Sequence, residues 1–340
     1  MNSEPLRPVM PLERYRTLIA ALASKHDTMD DTYWLRFAAQ LVVLCPESPP
    51  ELAYRIRAVA GELLHATEWY QTLASPARFV VAAMLIQHHI PVADFISEHT
   101  HATTLMSEVG LRHDRFYEIV AVLILMMTPG HRSSNLPEIS RVKAIYEQMK
   151  GFHWWLTGPD DLPACVALAQ CQGSAEELVA RVEDAYQQLH AAGIPVGEHL
   201  QTAANLLPLT GLDMAQAVAR YRHLSTTLQR YTPVLADYHY DPLALLTLLD
   251  HEPELVIERL MGVVGELDLV QPEGHGEANI LIASDLTFLD LVRCDRHQVV
   301  LAKQPSLHAY HLASAVLISQ VELNLVELGV INGVAQWPYP

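Results

Sequence analysis

The chain alternates between two kinds of apolar segment. In the first, apolar residues recur on one face at helical spacing. Across 175–192, Leu178, Val179, Val182, Tyr186 and Leu189 line one side of a helix whose other side is polar. Ser174 and Glu177 form an S-x-x-E box ahead of it, each side chain meeting the other residue's backbone N–H. Gly193 supplies a left-handed terminal residue, and Pro195 bars continuation. The spacing predicts a similar helix from Asp213, with Val218, Tyr221, Leu224 and Leu228 inward. It predicts another from Pro137, with Ile139, Val142, Tyr146 and Met149 inward and a stop at Gly151. In the second kind, covering 78–87, 115–127, 161–171, 199–209 and 243–249, Ala, Leu and Val dominate nearly all round. Such helices must be buried on both sides. An amphipathic outer helix alternating with a buried inner one predicts an all-α fold. Its helix pairs would stack as an α-solenoid-like or superhelical array, or as a ring.

Proline spacing gives this alternation a register. Pro76, Pro159 and Pro242 are 83 residues apart, each after a plausible cap: Ser75, Gly158 and Asp241. Proline at a first helical position loses no hydrogen bond, so each is read as a helix start. Two copies then align without a gap for about 50 residues, a span bounded by the helix-pair period. Val166 falls under Ala83, Leu168 under Leu85, Leu178 under Phe95 and Leu189 under Met106. Gly193 falls under Gly110, Ile194 under Leu111 and Leu206 under Leu123. Each unit would hold four helices. The chain divides on this basis into an N-terminal arm and first helix (1–30), a helical-repeat domain (31–268) and a C-terminal helical segment (269–340). Residues 307–328 read as one long helix or two that cap the stack, and 298–302 as a short extended run.

Composition narrows the function classes. Asp plus Glu (39) outnumber Lys plus Arg (22), for a net charge of −17. That argues against nucleic-acid binding, which needs a basic surface, and against docking on anionic membranes. The longest strongly apolar run, 119–127, is too short to span a bilayer. The start lacks a basic region followed by an apolar core, which points to a cytoplasmic protein. Cys45, Cys165, Cys171 and Cys294 are too sparse for a disulfide framework and read as buried thiols.

The run LTGPDDLPACVALA (156–169), a capped amphipathic helix, then GIPVGEHLQTAANLL (193–207) resembles a bacterial family of unknown function, family 4003. RFVVAAML (78–85) adds to the likeness, which covers roughly residues 30 to 250. The resemblance implies an all-helical fold and brings no cofactor or catalytic residue. AYQQLHAAGIP also echoes pentatricopeptide and tetratricopeptide repeats, through shared helix-pair geometry.

Candidate chemistry is dispersed. Eighteen histidines are present, but only His308 and His311 share a helix face, and Glu62–His65 is a lone E-x-x-H. No metal site and no cofactor are expected from them. No P-loop, G-x-S-x-G or G-x-G-x-x-G occurs, and Gly274-His-Gly276 reads as a connector. Trp154–Trp155 beside His153 offers a stacking platform, although aromatics closing a helix-pair corner are the commoner case. Asp160 and Asp161 read first as acids of a helix start. The register adds that Arg78 and Asp161 are equivalent, and that Arg115 and His199 are equivalent one helix pair later. If the inner helices line a groove, Arg78, Arg115, Asp160, Asp161 and His199 would sit along one rim. The function expected is a binding scaffold for a protein, peptide or small ligand, with self-association left open. The alternative is a helical enzyme with a dispersed His/Asp/Glu metal or acid–base site.

Overall fold

The computed structural model describes residues 11–24, 26–66, 73, 75–111, 115–231, 240–270, 276–296 and 305–327. Among them are fifteen α-helices and no strand. The first fourteen fall into consecutive outer–inner pairs. These are α1 (Pro11–Leu22) with α2 (Met29–Leu41), α3 (Pro49–Ala66) with α4 (Arg78–Gln87), and α5 (Val92–Glu108) with α6 (Arg115–Met127). Then come α7 (Leu136–Phe152) with α8 (Leu162–Ala169), α9 (Ala175–Ala191) with α10 (Glu198–Leu206), α11 (Met214–Tyr231) with α12 (Tyr240–Leu246), and α13 (Pro253–Val270) with α14 (Gly276–Arg296). The inner helices follow one another from α2 to α14, and α14 returns to pack on α2. Arg36 of α2 donates to the side-chain Oδ1 of Asn279 on α14, and Arg16 of α1 pairs with Glu266 of α13. The series therefore closes on itself.

The helix α15 (Pro305–Glu327) is single, and it packs on α6, α8, α12 and α14. Its stretch 312–321 is buried on every side, as expected of a helix surrounded by inner helices. It runs against them. His311, near its start, meets His88 just after α4, whereas Gln320, a few turns later, donates to the Asp160 carbonyl just before α8 (3.0 Å). Tyr310 stacks on Phe288 of α14 with centroids 4.4 Å apart. The C-terminal segment supplies the inner helix of the seventh pair, and its last described helix, α15, packs on inner helices of four pairs.

Local signals place most of these elements. Ser174 and Glu177 form the reciprocal capping box, and Gly193 is left-handed at φ +99°. Its repeat partner Gly110 is left-handed at φ +81°, and the N–H groups of Leu111 and Ile194 both reach back to the last turn. Every aligned apolar pair from Ala83/Val166 to Leu123/Leu206 is buried. The two 83-residue units hold four α-helices each. The prolines need correction. Pro76 lies in a turn two residues before α4, because the Arg78 guanidinium and N–H hold the Ser75 carbonyl there. Pro159 opens a 3-10 turn (Pro159–Asp161) ahead of α8, and Pro242 is the third residue of α12. The helix from 136 starts one residue before Pro137, capped by Asn135, and runs one residue past Gly151. The segment predicted at 199–209 ends its α-helix at Leu206 and continues as a 3-10 turn to Thr210. The extended run 298–302 lies outside the described residues, as does most of 270–278. Cys165 is buried, but Cys45 and Cys171 are only half-buried, because they lie beyond the ends of α2 and α8.

One recurring device was not foreseen. An arginine on an outer helix donates to carbonyls at, or in the loop just beyond, the end of the following inner helix. Arg14 reaches Cys45 and Glu47, Arg141 reaches Ala169 (3.1 Å) and Cys171 (2.9 Å), and Arg220 reaches Thr247 (3.2 Å) and Leu249 (3.0 Å). Carbonyls at a helix end lack intrahelical donors and carry the negative end of the dipole, so a cation there satisfies both. Arg141→Met should lower unfolding free energy by about 1.5–3 kcal/mol, the worth of hydrogen bonds from a charged donor. Urea denaturation checks this, with exposed Arg132→Met as a control that changes it little.

Candidate ligand-binding rim

Because the inner helices run in one sense, their first turns lie at one end of the ring. Asp31 of α2 and Arg78 of α4 face each other there at 3.8 Å, with the Arg78 guanidinium over the Phe79 ring at 4.6 Å. The Arg115 side chain, at the start of α6, lies outside the described residues. Asp160, Asp161 and His199 belong to the neighbouring sector of the same end.

Asp161 is the centre of that sector. Its carboxylate accepts the Gly158 N–H (3.1 Å), which is the local role expected of a first-turn acid. It also accepts from the neighbouring inner helix α10, from Gln201 Nε2 (2.9 Å) and from Asn205 Nδ2 (3.1 Å). Gln201 and Asn205 are one turn apart, so both point at the same neighbour. They are 3% and 1% exposed, and their carbonyl oxygens, Oε1 and Oδ1, have no protein hydrogen-bond donor. Burial, then the adjacent Asp160 charge, pushes the Asp161 carboxyl up to about 8. Burial also raises Asp160, which shares a hydrogen bond with Glu198. His199 Nδ1 lies 3.0 Å from Asp241, whose carboxyl burial raises against the pull of that histidine.

The structure thus joins Asp160 and Asp161 to Glu198, Gln201 and Asn205 of α10, sets His199 against Asp241 of α12, and pairs Arg78 with Asp31. The sequence reading missed Gln201, Asn205, Glu198 and Asp241. The first two carried a signal, being amides spaced i, i+4 on a helix otherwise fit for burial on both sides.

The aromatic corner also differs from the commoner case. His153 is packed on Tyr186, 4.2 Å between centroids, and held by Glu183 (2.7 Å). Trp154 and Trp155, set edge to face, remain 71% and 59% exposed. They lie on the connection from α7 to α8, and hence at the end of the ring that carries Asp160.

His88 and His311 meet edge to face at 4.9 Å. Burial and mutual repulsion with His308 lower them to about 4 and about 3 respectively. Among the described residues no three His, Cys, Asp or Glu side chains are placed to hold a metal. Glu62 lines a groove of about 740 Å³ between α3 and α5 with Val92, Ile96 and His101, while His65 Nδ1 lies 2.6 Å from the Gly61 carbonyl instead. No single helix among the described residues is long and apolar enough to cross a membrane.

Fold and site define an all-helical protein built from outer–inner helix pairs, with a buried polar cluster at the start of its inner helices. The family model for DUF4003, a protein family of unknown function, matches residues 50–303, and the chain belongs to that family. It is 28% identical over 205 residues to the uncharacterized protein YeaA of Bacillus subtilis (strain 168), covering 58% of this chain and 60% of that relative. No solved structure matches.

The raised Asp161 carboxyl has a signed consequence. An acid whose folded value lies above its ordinary 3.8 binds its proton more tightly when folded. Its contribution is full below that value and is lost as pH rises toward about 8. Asp161→Asn should therefore be less sensitive than wild type to a rise in pH across this window. Urea midpoints at several pH values test it. A wild-type-minus-variant difference that does not fall with pH would contradict the assignment.

Proposed function

We propose that the protein is a non-enzymatic binding scaffold, a closed form of the helix-pair repeat array, with its ligand at the rim where the inner helices begin. The observation that carries this reading is the pair of buried carbonyl acceptors, Gln201 Oε1 and Asn205 Oδ1, beside Asp161. Burying a polar atom without a partner costs free energy, so such an atom calls for a donor from outside the protein, a water or a ligand group. On this reading Arg78, Asp160, Asp161 and His199 supply the variable polar groups of the rim on a constant frame. The ligand they suit is one rich in hydrogen-bond donors.

A small-molecule fraction of cell extract should raise the melting temperature of the wild-type protein, since a ligand that binds only the folded state stabilises it. Asp161→Asn and His199→Ala should lose most of that rise, each read against its own melting temperature without the fraction. A full rise in both variants would sink the rim reading. A second reading, an enzyme with Asp161 as its acid–base group, is favoured by the carboxyl held up to about 8. It requires that the wild-type protein, but not Asp161→Asn, consume a component of the fraction, as read by mass spectrometry.

A further inference from the structure

We propose that the segment 328–340, which follows α15, turns back over the rim and docks on an arc of exposed apolar side chains: Phe152, Trp154, Trp155, Val196 and Tyr231. This face is distinct from the buried cluster around Asp161, and docking on it holds whether or not that cluster takes a ligand.

The arc is set by the topology. Connections from an outer into an inner helix all lie at the rim, because the inner helices begin there. Phe152 is the last residue of α7, and Trp154 and Trp155 follow on the connection to α8. Val196 lies on the connection from α9 to α10, and Tyr231 is the last residue of α11. α7 packs on α9 and α9 on α11, so the five residues belong to three adjacent pairs. Each is more than half exposed. One such side chain alone needs no explanation, but aromatic groups left in water on neighbouring elements mark a contact surface. His153, between Phe152 and Trp154, is clamped by Tyr186 and Glu183 of α9, so the indoles are presented from a fixed corner.

The path of α15 brings one occupant to this face. Gln320 donates to the carbonyl of Asp160, five residues after Trp155, and α15 packs on α8 and on the 3-10 turn before it. From that level the helix continues to Glu327, about 10 Å at 1.5 Å per residue, so it emerges on the rim side. Residues 328–340 then span at most about 45 Å when extended. Inner helices lie about 10 Å from the ring axis and outer ones about 10 Å farther, so the whole arc is within reach.

The chemistry of the segment matches. It reads LGVINGVAQWPYP, without one charged residue in a chain of net charge −17. Leu328, Val330, Ile331, Val334, Trp337 and Tyr339 give it apolar groups for the arc. An acidic segment would be repelled by Asp160 and Glu198 at this end, whereas this one is not. Left in water, an uncharged apolar run promotes association between chains, and docking removes that hazard together with the exposure of the indoles. The tether places the segment at an effective concentration of about millimolar, which favours its own rim over that of a second copy.

Two measurements on the full-length protein test the docking. In the first, Trp337 is replaced by the photo-cross-linker p-benzoylphenylalanine, and light and heavy nitrogen-labelled chains are mixed before irradiation. Mass spectrometry should find cross-links mainly within one chain, from position 337 to Phe152, Trp154, Trp155, Val196 or Tyr231. In the second, hydrogen exchange of the amides of 329–337 should be slower than that of unstructured chain by about tenfold or more. The double variant Trp154→Ala/Trp155→Ala should abolish most of this slowing while α6 and α8 keep their wild-type protection, because both indoles are exposed. Exchange of 329–337 at the unstructured rate would overturn the proposal. Slowing that the double variant leaves unchanged would do so too, since the segment would then be held elsewhere or as a continuation of α15. Cross-links mainly between light and heavy chains would replace it with an interface between copies.

Discussion

Closing a ring of helices creates a hole that has to be filled. Seven inner helices at a usual spacing of about 9 Å place their axes on a circle of about 10 Å radius. Their side chains cannot fill the middle of such a circle, but one more helix on the axis lies at a normal packing distance from all of them. The described chain meets this constraint with α15, buried all round over 312–321. The rest follows from it. A helix on the axis must be apolar on every face, the inner helices must be apolar toward both the axis and the outer layer, and only the outer helices keep a polar side. Polar groups within this core carry a cost, so each needs a reason. Asp285, beside Tyr310 and Ser314 of α15, is pushed up to about 7 by burial, against the pull of hydrogen bonds from those two residues.

The pairs themselves are fixed by short-range chemistry. The cap of Ser174, the left-handed Gly110 and Gly193, and the alternation of amphipathic and all-apolar segments all lie within one helix pair. These features were legible in the sequence because each is a local rule. The arginine clamps were not, although their residues are present in the chain. Arg14 and Cys45 are 31 residues apart, and Arg141 and Cys171 are 30 apart. Their meaning depends on an outer helix lying beside the end of the next inner one.

Closure was less legible still. The contacts that join the ends, Arg36 to Asn279 and Arg16 to Glu266, span 243 and 250 residues. Nothing in a repeat register specifies the angle between successive pairs, so an open array and a ring write the same local pattern. The central position of α15 has the same origin. A uniformly apolar helix reads equally well as a cap or as a plug. At the rim, the register correctly set Asp161 and His199 at inner-helix starts. Arg78, also at an inner-helix start, pairs with Asp31 on the preceding inner helix, a contact the register does not specify. Gln201 and Asn205 went unread because two amides in an apolar helix look like noise until Asp161 is seen facing them.

The rim depends on the plug. Gln320 of α15 holds the Asp160 carbonyl at the turn that presents Asp161. The polar cluster, the fully apolar inner helices and the closed ring are on this account one cooperative unit. Native-state hydrogen exchange tests that unity most directly. The amides of 312–321 should exchange only through global unfolding, with the same free energy and denaturant dependence as those of α6 and α8. Exchange of α15 through a separate, lower-energy opening, with α6 and α8 still protected, would contradict it.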